Sequence, residues 1–276
     1  MKRDDLIIVR GGGDLATGTI HRLWAAGLRV LVLEIENPAA IRRQVALCEA
    51  VYTKTTEVEG LRAVRIDRYE EAEAVWQENS VPILIDPKGV SIGALKPAIV
   101  IDAILAKRNL GTRRDMAPLT IALGPGFTAG EDVDVVVETK RGHRLGRIIR
   151  EGAAIPNTGI PGVIGGYGAE RVIHAQAAGI FKNVRVIGDI VEAGDTIGGD
   201  LAGGRNETSG SDTDHGHSAR SFAGWLSGDG TFQGSRCRSE KRGTFQLFSD
   251  LGQGEMYRGK CTGVGVCPVM EVKERL

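Results

Sequence analysis

The sequence predicts an α/β protein whose N-terminal part is a doubly wound, mostly parallel β-sheet. Two continuous apolar runs, at residues 6–9 and 30–33, are typical of strands that are buried on both faces. Between them, Leu15, Ile20 and Leu23 begin a helical pattern that ends before Gly27. Strand and helix continue to alternate along the chain, as they do in parallel sheets with helices on both faces.

The same alternation extends to about residue 130. Pro38 suits the first turn of another helix, because its fixed φ angle fits that position. Further strands are predicted at residues 61–66, 81–85 and 119–123, and further helices at residues 69–77 and 98–107. We therefore expect a first domain at residues 1–130.

From residue 133 the pattern changes to short strands and turns, with no helix predicted before residue 200. We expect a strand at residues 133–138, then short strands at residues 171–174, 179–181, 185–187 and 194–198. The repeated Gly-Asp pairs near residues 188 and 194 are typical of the first half of a biotinyl/lipoyl-like barrel sandwich. A generic small β domain fits the pattern equally well. The sequence predicts an incomplete β-rich domain at residues 131–198.

Apolar periodicity ends near residue 199. Residues 201–221 consist almost entirely of small, polar and charged residues. Such a composition buries too little surface to offset the chain entropy, which predicts a disordered tail over residues 199–276.

Composition excludes several classes of function. The chain has 276 residues, with 35 Lys and Arg balanced by 35 Asp and Glu, so nothing indicates a nucleic-acid or membrane partner. It has no run of about 18 apolar residues and no N-terminal signal-peptide pattern, so we expect a cytoplasmic location. Cys48 is expected to be packed rather than reactive. No metal site is predicted, since the other Cys and His residues match no zinc spacing.

The turn between the first strand and the first helix carries the strongest chemical signal. Gly11-Gly12-Gly13-Asp14-Leu15-Ala16 fits the G-x-G-x-x-[G/A] fingerprint of Rossmann-like dinucleotide sites. Gly11 permits the tight turn, Gly13 lets backbone N–H groups approach a pyrophosphate, and Ala16 lets helix and strand pack closely. The helix N-terminus adds unpaired donors and a positive dipole. The predicted phosphate-binding set is Gly11, Gly12, Gly13, Asp14, Leu15, Thr17 and Gly18, with Asp14 expected to cap the helix.

Two further features complete the predicted site. Glu34 and Glu36 end the second strand, where an acid accepts hydrogen bonds from ribose hydroxyls, and both could face the same side. Gly124 and Gly126 follow the strand at residues 119–123 and form either a second wall of the site or a simple turn. The expected ligand is a nucleotide or a dinucleotide-bearing cofactor. The alternative is a scaffold with an empty Rossmann-like fold.

Several motifs together resemble one known family. They are residues 10–18, Leu123-Gly124-Pro125-Gly126-Phe127, Gly142-His143 with Leu145-Gly146-Arg147, Pro156-Asn157-Thr158-Gly159, and Gly188-Asp189 with Gly194-Asp195. Over residues 5 to about 198 the chain is similar to YqeB-type accessory proteins of selenium-dependent molybdenum hydroxylase systems. The resemblance implies a role in maturing a hydroxylase of the xanthine dehydrogenase kind, with that hydroxylase as the partner. It does not specify the biochemical step, nor whether the protein is an enzyme.

The resemblance leaves the cofactor open. A molybdopterin dinucleotide carries a pyrophosphate and a ribose, so it suits the glycine turn as well as NAD(P) does. The alternative function is that of an NAD(P)-dependent oxidoreductase acting on a small substrate. Against it, the sequence has no Tyr-x-x-x-Lys pair and no His expected near the carboxyl edge of the sheet.

The end of the resemblance near residue 198 suggests a second explanation for the tail. Reading residues 246–260 one base later permits Phe-Arg-Ile-Ser-Asp-Lys-Ala-Arg, and residues 220–224 then permit Gly-Val-Leu-Arg-Gly. Both strings are C-terminal motifs expected of the family. Residues 199–276 are therefore either a natural disordered tail or the product of a frameshift near codon 199.

Overall fold

A computed structural model of the chain describes residues 5–160, 180–187, 189–192, 196–201, 216–218, 236–240 and 244–248. The chain divides into two compact units, with the boundary between Thr158 and Gly159. In this described part, no helix has the length and apolar character needed to cross a membrane.

The first unit is built on a nine-stranded sheet that is mostly parallel. Its strands are β1 (Leu6–Arg10), β2 (Arg29–Glu34), β3 (Thr55–Val58), β4 (Leu61–Ile66), β5 (Val81–Ile85), β6 (Ile99–Asp102), β7 (Leu119–Leu123), β9 (Val135–Val137) and β10 (Ile148–Ile149). Their order is β10-β9-β7-β6-β1-β2-β5-β4-β3, and only the two edge pairs are antiparallel. The short strands β8 (Thr128–Ala129) and β11 (Gly152–Ala153) pair separately. This sheet confirms the predicted α/β class.

Helices cover both faces of the sheet. They are α1 (Asp14–Ala25), α2 (Ala50–Thr53), α3 (Ala72–Gln77) and α4 (Val90–Leu95), with single 3₁₀ turns at Arg43–Val45, Leu47–Glu49, Tyr69–Glu71 and Arg114–Met116. Ile20 of α1 packs with Ile7 of β1 on one face. Ile8 packs with Val75 of α3 on the other. Because successive strand residues face opposite sides, covering both faces makes residues 6–9 of β1 apolar.

Two predicted helices are wrong. Residues 98–107 form no helix, because residues 99–102 are β6, which pairs in parallel with β1 and β7. The run Ile-Val-Ile is too short to distinguish the periodicity of a helix from that of a strand. These residues form a strand because they are buried on both faces of the sheet, between β1 and β7. Pro38 begins no helix, since the first helical turn after β2 starts at Arg43. The other predicted strands before residue 140 and the helical segment at 69–77 are confirmed.

The second unit contains two small antiparallel sheets in its described residues. One joins β12 (Ile180–Asn183), β14 (Thr196–Leu201) and β15 (Gly216–Ser218). The other joins β13 (Ile190–Glu192), β17 (Thr244–Phe248) and β16 (Arg236–Glu240). The predicted strands at residues 179–181 and 194–198 overlap β12 and β14, and the one at 171–174 lies outside the described residues. The strand predicted at residues 185–187 is wrong, because this segment forms a turn in which Val186 and Asp189 bond to each other.

A buried ionic network joins the two central strands of the main sheet. Arg10 ends β1 directly beside Asp102, which ends β6, and the guanidinium lies 3.8 Å from the carboxylate. Thr112 links them, because its hydroxyl accepts from Arg10 Nη1 and donates to Asp102. Burial raises the pKa of Asp102, while hydrogen bonds from Thr112 and Ile104 and the charge of Arg10 oppose this rise. Sequence patterns gave no indication of this network.

We expect Asp102→Ala to lower the free energy of unfolding by about 3–5 kcal/mol, because Arg10 would remain buried without its carboxylate. Urea unfolding measures the loss. Glu73→Ala is the control, since Glu73 pairs with Arg29 at 2.9 Å on the surface and such pairs contribute at most about 1 kcal/mol. Equal losses of unfolding free energy in the two variants would show that the buried network stabilises the fold no more than a surface ion pair does.

Candidate functional site

The candidate site lies where the order of the parallel strands reverses. The chain passes from β1 to β2 on one side, and after β5 it returns to β6 on the other side of β1. In open α/β sheets, ligands bind outside the carboxyl ends of the strands at such a reversal. The glycine turn, residues 11–13, leaves β1 at this point and leads directly into α1.

Gly11 packs against the chain that leaves β6. Its N–H donates to the Leu33 carbonyl at 2.8 Å, and its φ of +95° lies in the region that favours glycine. A Cβ at this position would lie 3.0 Å from the carbonyl carbon of Ala103. Gly11 therefore closes the base of the site and is itself buried.

Gly12 is engaged by two protein groups. Its N–H donates to Glu34 Oε2 at 2.7 Å, and its carbonyl accepts from the Cys48 N–H at 2.9 Å. A Cβ at Gly12 would lie 3.2 Å from the Cys48 nitrogen, so the segment around Cys48 covers this residue. Burial, with the nearby negative charges, raises the pKa of the Cys48 thiol. The cysteine is packed, as expected.

Gly13 is open to the surroundings. It is the N-cap of α1 with φ −65° and ψ 179°, and nothing lies within 4 Å of its Cβ position. The N–H groups of residues 13–15 make no hydrogen bond to any described residue, as the first N–H groups of helices commonly do not. Three backbone donors at the positive end of α1 therefore have no protein partner among the described residues, and the residues that carry them are only half-buried. The Cβ position of Gly18, one turn further along α1, is also open.

Asp14 and Thr17 have structural partners. Asp14 is the first residue of α1 and pairs with Arg42, so the expected helix cap is wrong: α1 has no side-chain cap. The buried Thr17 hydroxyl donates to the Gly13 carbonyl at 2.9 Å and accepts from the Leu47 N–H at 3.0 Å. Thr17 therefore fixes the turn from its inner side, whereas Leu15 is half-buried.

The two candidate ribose-binding acids lie in different environments. Glu34, the last residue of β2, accepts from the N–H groups of Gly12 at 2.7 Å and Ile35 at 2.9 Å. Burial raises the pKa of its carboxyl, and these two hydrogen bonds oppose the rise. Glu36 lies beyond the end of the strand and is exposed, because the alternation of side chains ends with β2. The structure brings only Glu34 to the glycine turn.

The second glycine turn, residues 124–126, packs on the chain leaving β6. A Cβ at Gly126 would lie 2.5 Å from the Arg108 nitrogen, and one at Gly124 would lie 2.5 Å from Thr139 Oγ1. Gly124 also approaches Leu105, at 3.2 Å from its Cβ position. The segment 103–108 therefore contacts Gly11 at one end and the second glycine turn at the other.

The described residues form no metal centre beside the glycine turn. Within the described residues, no three His, Cys, Asp or Glu side chains group closely enough to hold a metal ion. An open cavity of about 800 Å³ lies at the amino ends of β1, β6 and β7, and none of the predicted site residues lines it. The glycine turn is therefore the better candidate, because unpartnered backbone donors and the positive end of the α1 dipole occur together there.

Comparison with known proteins gives one informative similarity. The chain is 49% identical over 192 residues to the uncharacterized protein YqeB of Escherichia coli strain K12. The match covers 70% of this chain but only 36% of that protein. No protein-family model matches the chain. No solved structure matches it either.

The different roles of two glycines predict opposite responses to alanine. Gly11→Ala should lower the free energy of unfolding by about 1–3 kcal/mol, because it strains a positive φ against the chain at Ala103. Gly13→Ala should be neutral or slightly stabilising, since its backbone is extended and its Cβ position is empty. Urea unfolding of both variants measures this contrast. Similar losses of unfolding free energy in the two variants would contradict the conclusion that Gly11 is enclosed by the protein and Gly13 is open.

The raised pKa of Glu34 predicts a pH dependence of stability. Its favourable contribution is complete when the carboxyl is protonated and is lost as the pH rises from 4.5 through the higher folded pKa. In urea unfolding across this range, Glu34→Gln should therefore gain stability relative to wild type as the pH rises. Glu36→Gln removes an exposed charge nearby and is the control. A constant difference between wild type and Glu34→Gln would contradict the buried carboxyl.

Proposed function

We propose that this chain is a YqeB-type protein and that its first unit binds a nucleotide-bearing cofactor during maturation of a selenium-dependent molybdenum hydroxylase. The observation that carries the binding proposal is the open first turn of α1 at the reversal of strand order. The maturation role rests on the resemblance of the sequence motifs. The match spans only 36% of the length of the relative. Any activity or partner of this chain is therefore part of the proposal.

In this proposal the pyrophosphate lies against the N–H groups of residues 13–15. These donors have no protein partner among the described residues, and the absence of a side chain at Gly13 would let a phosphate oxygen approach the backbone. The positive end of the α1 dipole favours the negative charge. Arg42 supports this arrangement, because its pairing with Asp14 offsets a carboxylate that would otherwise repel phosphate. Gly11, Gly12 and Thr17 hold the turn in shape from the buried side.

Glu34 would receive the ribose. A carboxylate offers about four lone-pair sites, and backbone N–H groups take two of those of Glu34. Acceptor capacity therefore remains for ribose hydroxyls next to the turn, in the role that an acid at the end of the second strand has in Rossmann-like sites. Glu36 is assigned no contact with the ligand. Both NAD(P) and a molybdopterin dinucleotide carry the required pyrophosphate and ribose.

Accessory binding is favoured over the alternative of an NAD(P)-dependent oxidoreductase. The ionisable groups beside the turn are already engaged or buried: Asp14 pairs with Arg42, Glu34 accepts two N–H groups, and Cys48 is buried. Burial also raises the pKa of the thiol, so Cys48 is a poor proton donor at neutral pH. In this proposal Glu34 binds ribose rather than the reacting group, and the exposed His143, in the loop between β9 and β10 at the same edge, lies three strand spacings from the turn.

A matched pair of glycine substitutions tests the site. Gly13→Asp adds a carboxylate where phosphate is expected, and the open Cβ position lets the variant fold. We expect its affinity for NAD and ADP-ribose in calorimetric titration to fall at least about tenfold, from like-charge repulsion. Gly93→Asp adds the same charge at an equally open position on α4 and should bind like wild type. A selenium-dependent hydroxylase produced with Gly13→Asp should likewise contain less molybdenum cofactor than one produced with Gly93→Asp.

Two results would overturn the proposal. Equal nucleotide affinity in wild type and Gly13→Asp would remove the glycine turn as the site. Substrate-dependent oxidation or reduction of NAD(P) by the purified protein would favour the oxidoreductase instead.

A further inference from the structure

We propose that five exposed cations form a docking surface for an acidic surface of a partner protein. This basic rim consists of Arg108, Lys140, Arg141, Arg144 and Arg147. The inference rests on the proposed function, in which the partner is the hydroxylase that receives the cofactor.

The rim assembles at the carboxyl edge of the main sheet. Four of its residues lie in the hairpin loop between β9 and β10, and Arg108 lies in the loop that follows β6. Both loops contact the same glycine turn, since Thr139 lies against Gly124 and the Arg108 backbone lies against Gly126. Residues far apart in sequence therefore contribute to one charged edge.

The charge of the rim is not neutralised within the described residues. Residues 139–150 include the four rim cations of the hairpin and Arg150 but no Asp or Glu, in a chain whose total charges balance. The exposed Glu151 follows, and no ion pair among the described residues joins it to a rim cation. The preceding carboxylate, Glu138, is 1% exposed, and its two oxygens accept from the N–H groups of Lys140 and Ile155. By contrast, exposed arginines elsewhere pair with acids, such as Arg62 with Glu78 and Arg68 with Glu71.

The hairpin holds these cations on an ordered backbone. The Gly146 N–H donates to the Glu138 carbonyl at 2.8 Å, and the Glu138 N–H donates to the Arg147 carbonyl at 3.0 Å. The Arg147 N–H donates in turn to the Arg144 carbonyl at 3.0 Å. A fixed backbone lowers the ordering cost of binding, so the rim is prepared for a complementary surface.

The geometry favours a protein partner over a small anion or a nucleic acid. The rim side chains are exposed on a loop rather than gathered in a concave pocket, which small ligands prefer. Residues 138–155 contain no Phe, Tyr or Trp on which bases could stack. Charged surfaces of this kind steer a partner with opposite charge and set its orientation.

Its position would bring the partner close to the bound cofactor. β9 is separated from β1 by β6 and β7, so three strand spacings, about 14 Å, lie between the hairpin and the glycine turn. Both leave the sheet at its carboxyl edge. A hydroxylase held by the rim would therefore face the ligand on α1.

A labelled peptide of twenty glutamates is the probe for this surface. Added to the full-length protein at low salt, it should bind, and added salt should weaken the binding. Arg141→Gln with Arg144→Gln should reduce its affinity about three- to tenfold, the sum of two exposed charge contacts. Arg62→Gln with Arg68→Gln removes the same charge from paired arginines and should change the affinity less than about twofold. Fluorescence anisotropy measures all three proteins.

Separate outcomes decide the rim and the nucleotide site. Unchanged peptide affinity after loss of Arg141 and Arg144 would refute the proposed docking surface. So would rim-dependent binding of a DNA oligonucleotide or of anionic lipid vesicles that is tighter than binding of the peptide. The rim variant should bind NAD like wild type, because its substitutions lie away from the glycine turn. Rim-dependent peptide binding by a protein that binds no nucleotide would instead refute the proposed function and leave the docking surface standing.

Discussion

The parallel pairing of β1 with β6 is the constraint on which the rest of the first unit depends. It places Arg10 beside Asp102, and their charges are tolerable in the interior only because Thr112 and the neighbouring backbone complete their hydrogen bonds. The same pairing sends residues 11–13 and 103–108 out of the sheet side by side. Gly11 is needed where these two segments touch, because a side chain there would collide with Ala103. This contact fixes the position of the turn, whose other side, at Gly13, is open.

The glycine turn has one side that packs against the protein and one side that is open, where we propose that the ligand binds. Gly11 and Gly12 face the protein, where they contact the β6 exit, Glu34 and Cys48. Gly13 faces outward with the free donors of the α1 N-terminus. A turn of three glycines can therefore be closed on its inner side and accessible on its outer side. This division leaves the outer side of the turn free for the proposed phosphate.

Most acidic side chains described at the carboxyl edge of the sheet have a positive or hydrogen-bond-donating partner close by. Asp14 is matched by Arg42, and Glu34 by backbone N–H groups, so the acids near the turn are individually satisfied. Asp86 caps α4 in the same way, accepting from the N–H groups of Val90 and Ser91. Burial alone would raise the pKa of Asp86, but these hydrogen bonds lower it. The basic rim lacks such compensation within the described residues, and this contrast marks it as a surface for a partner.

The sequence by itself determined the apolar strands, the first helix and the glycine turn, because each leaves a pattern within a few neighbouring residues. It also supplied Glu34 and Glu36 as equal candidates. Only the tertiary structure brought Glu34 and not Glu36 to the glycine turn, made residues 99–102 a central strand, directed Thr17 inward and joined Arg10 to Asp102. The physical reason is that these outcomes depend on contacts between segments distant in sequence, and local periodicity carries no record of which segments will meet.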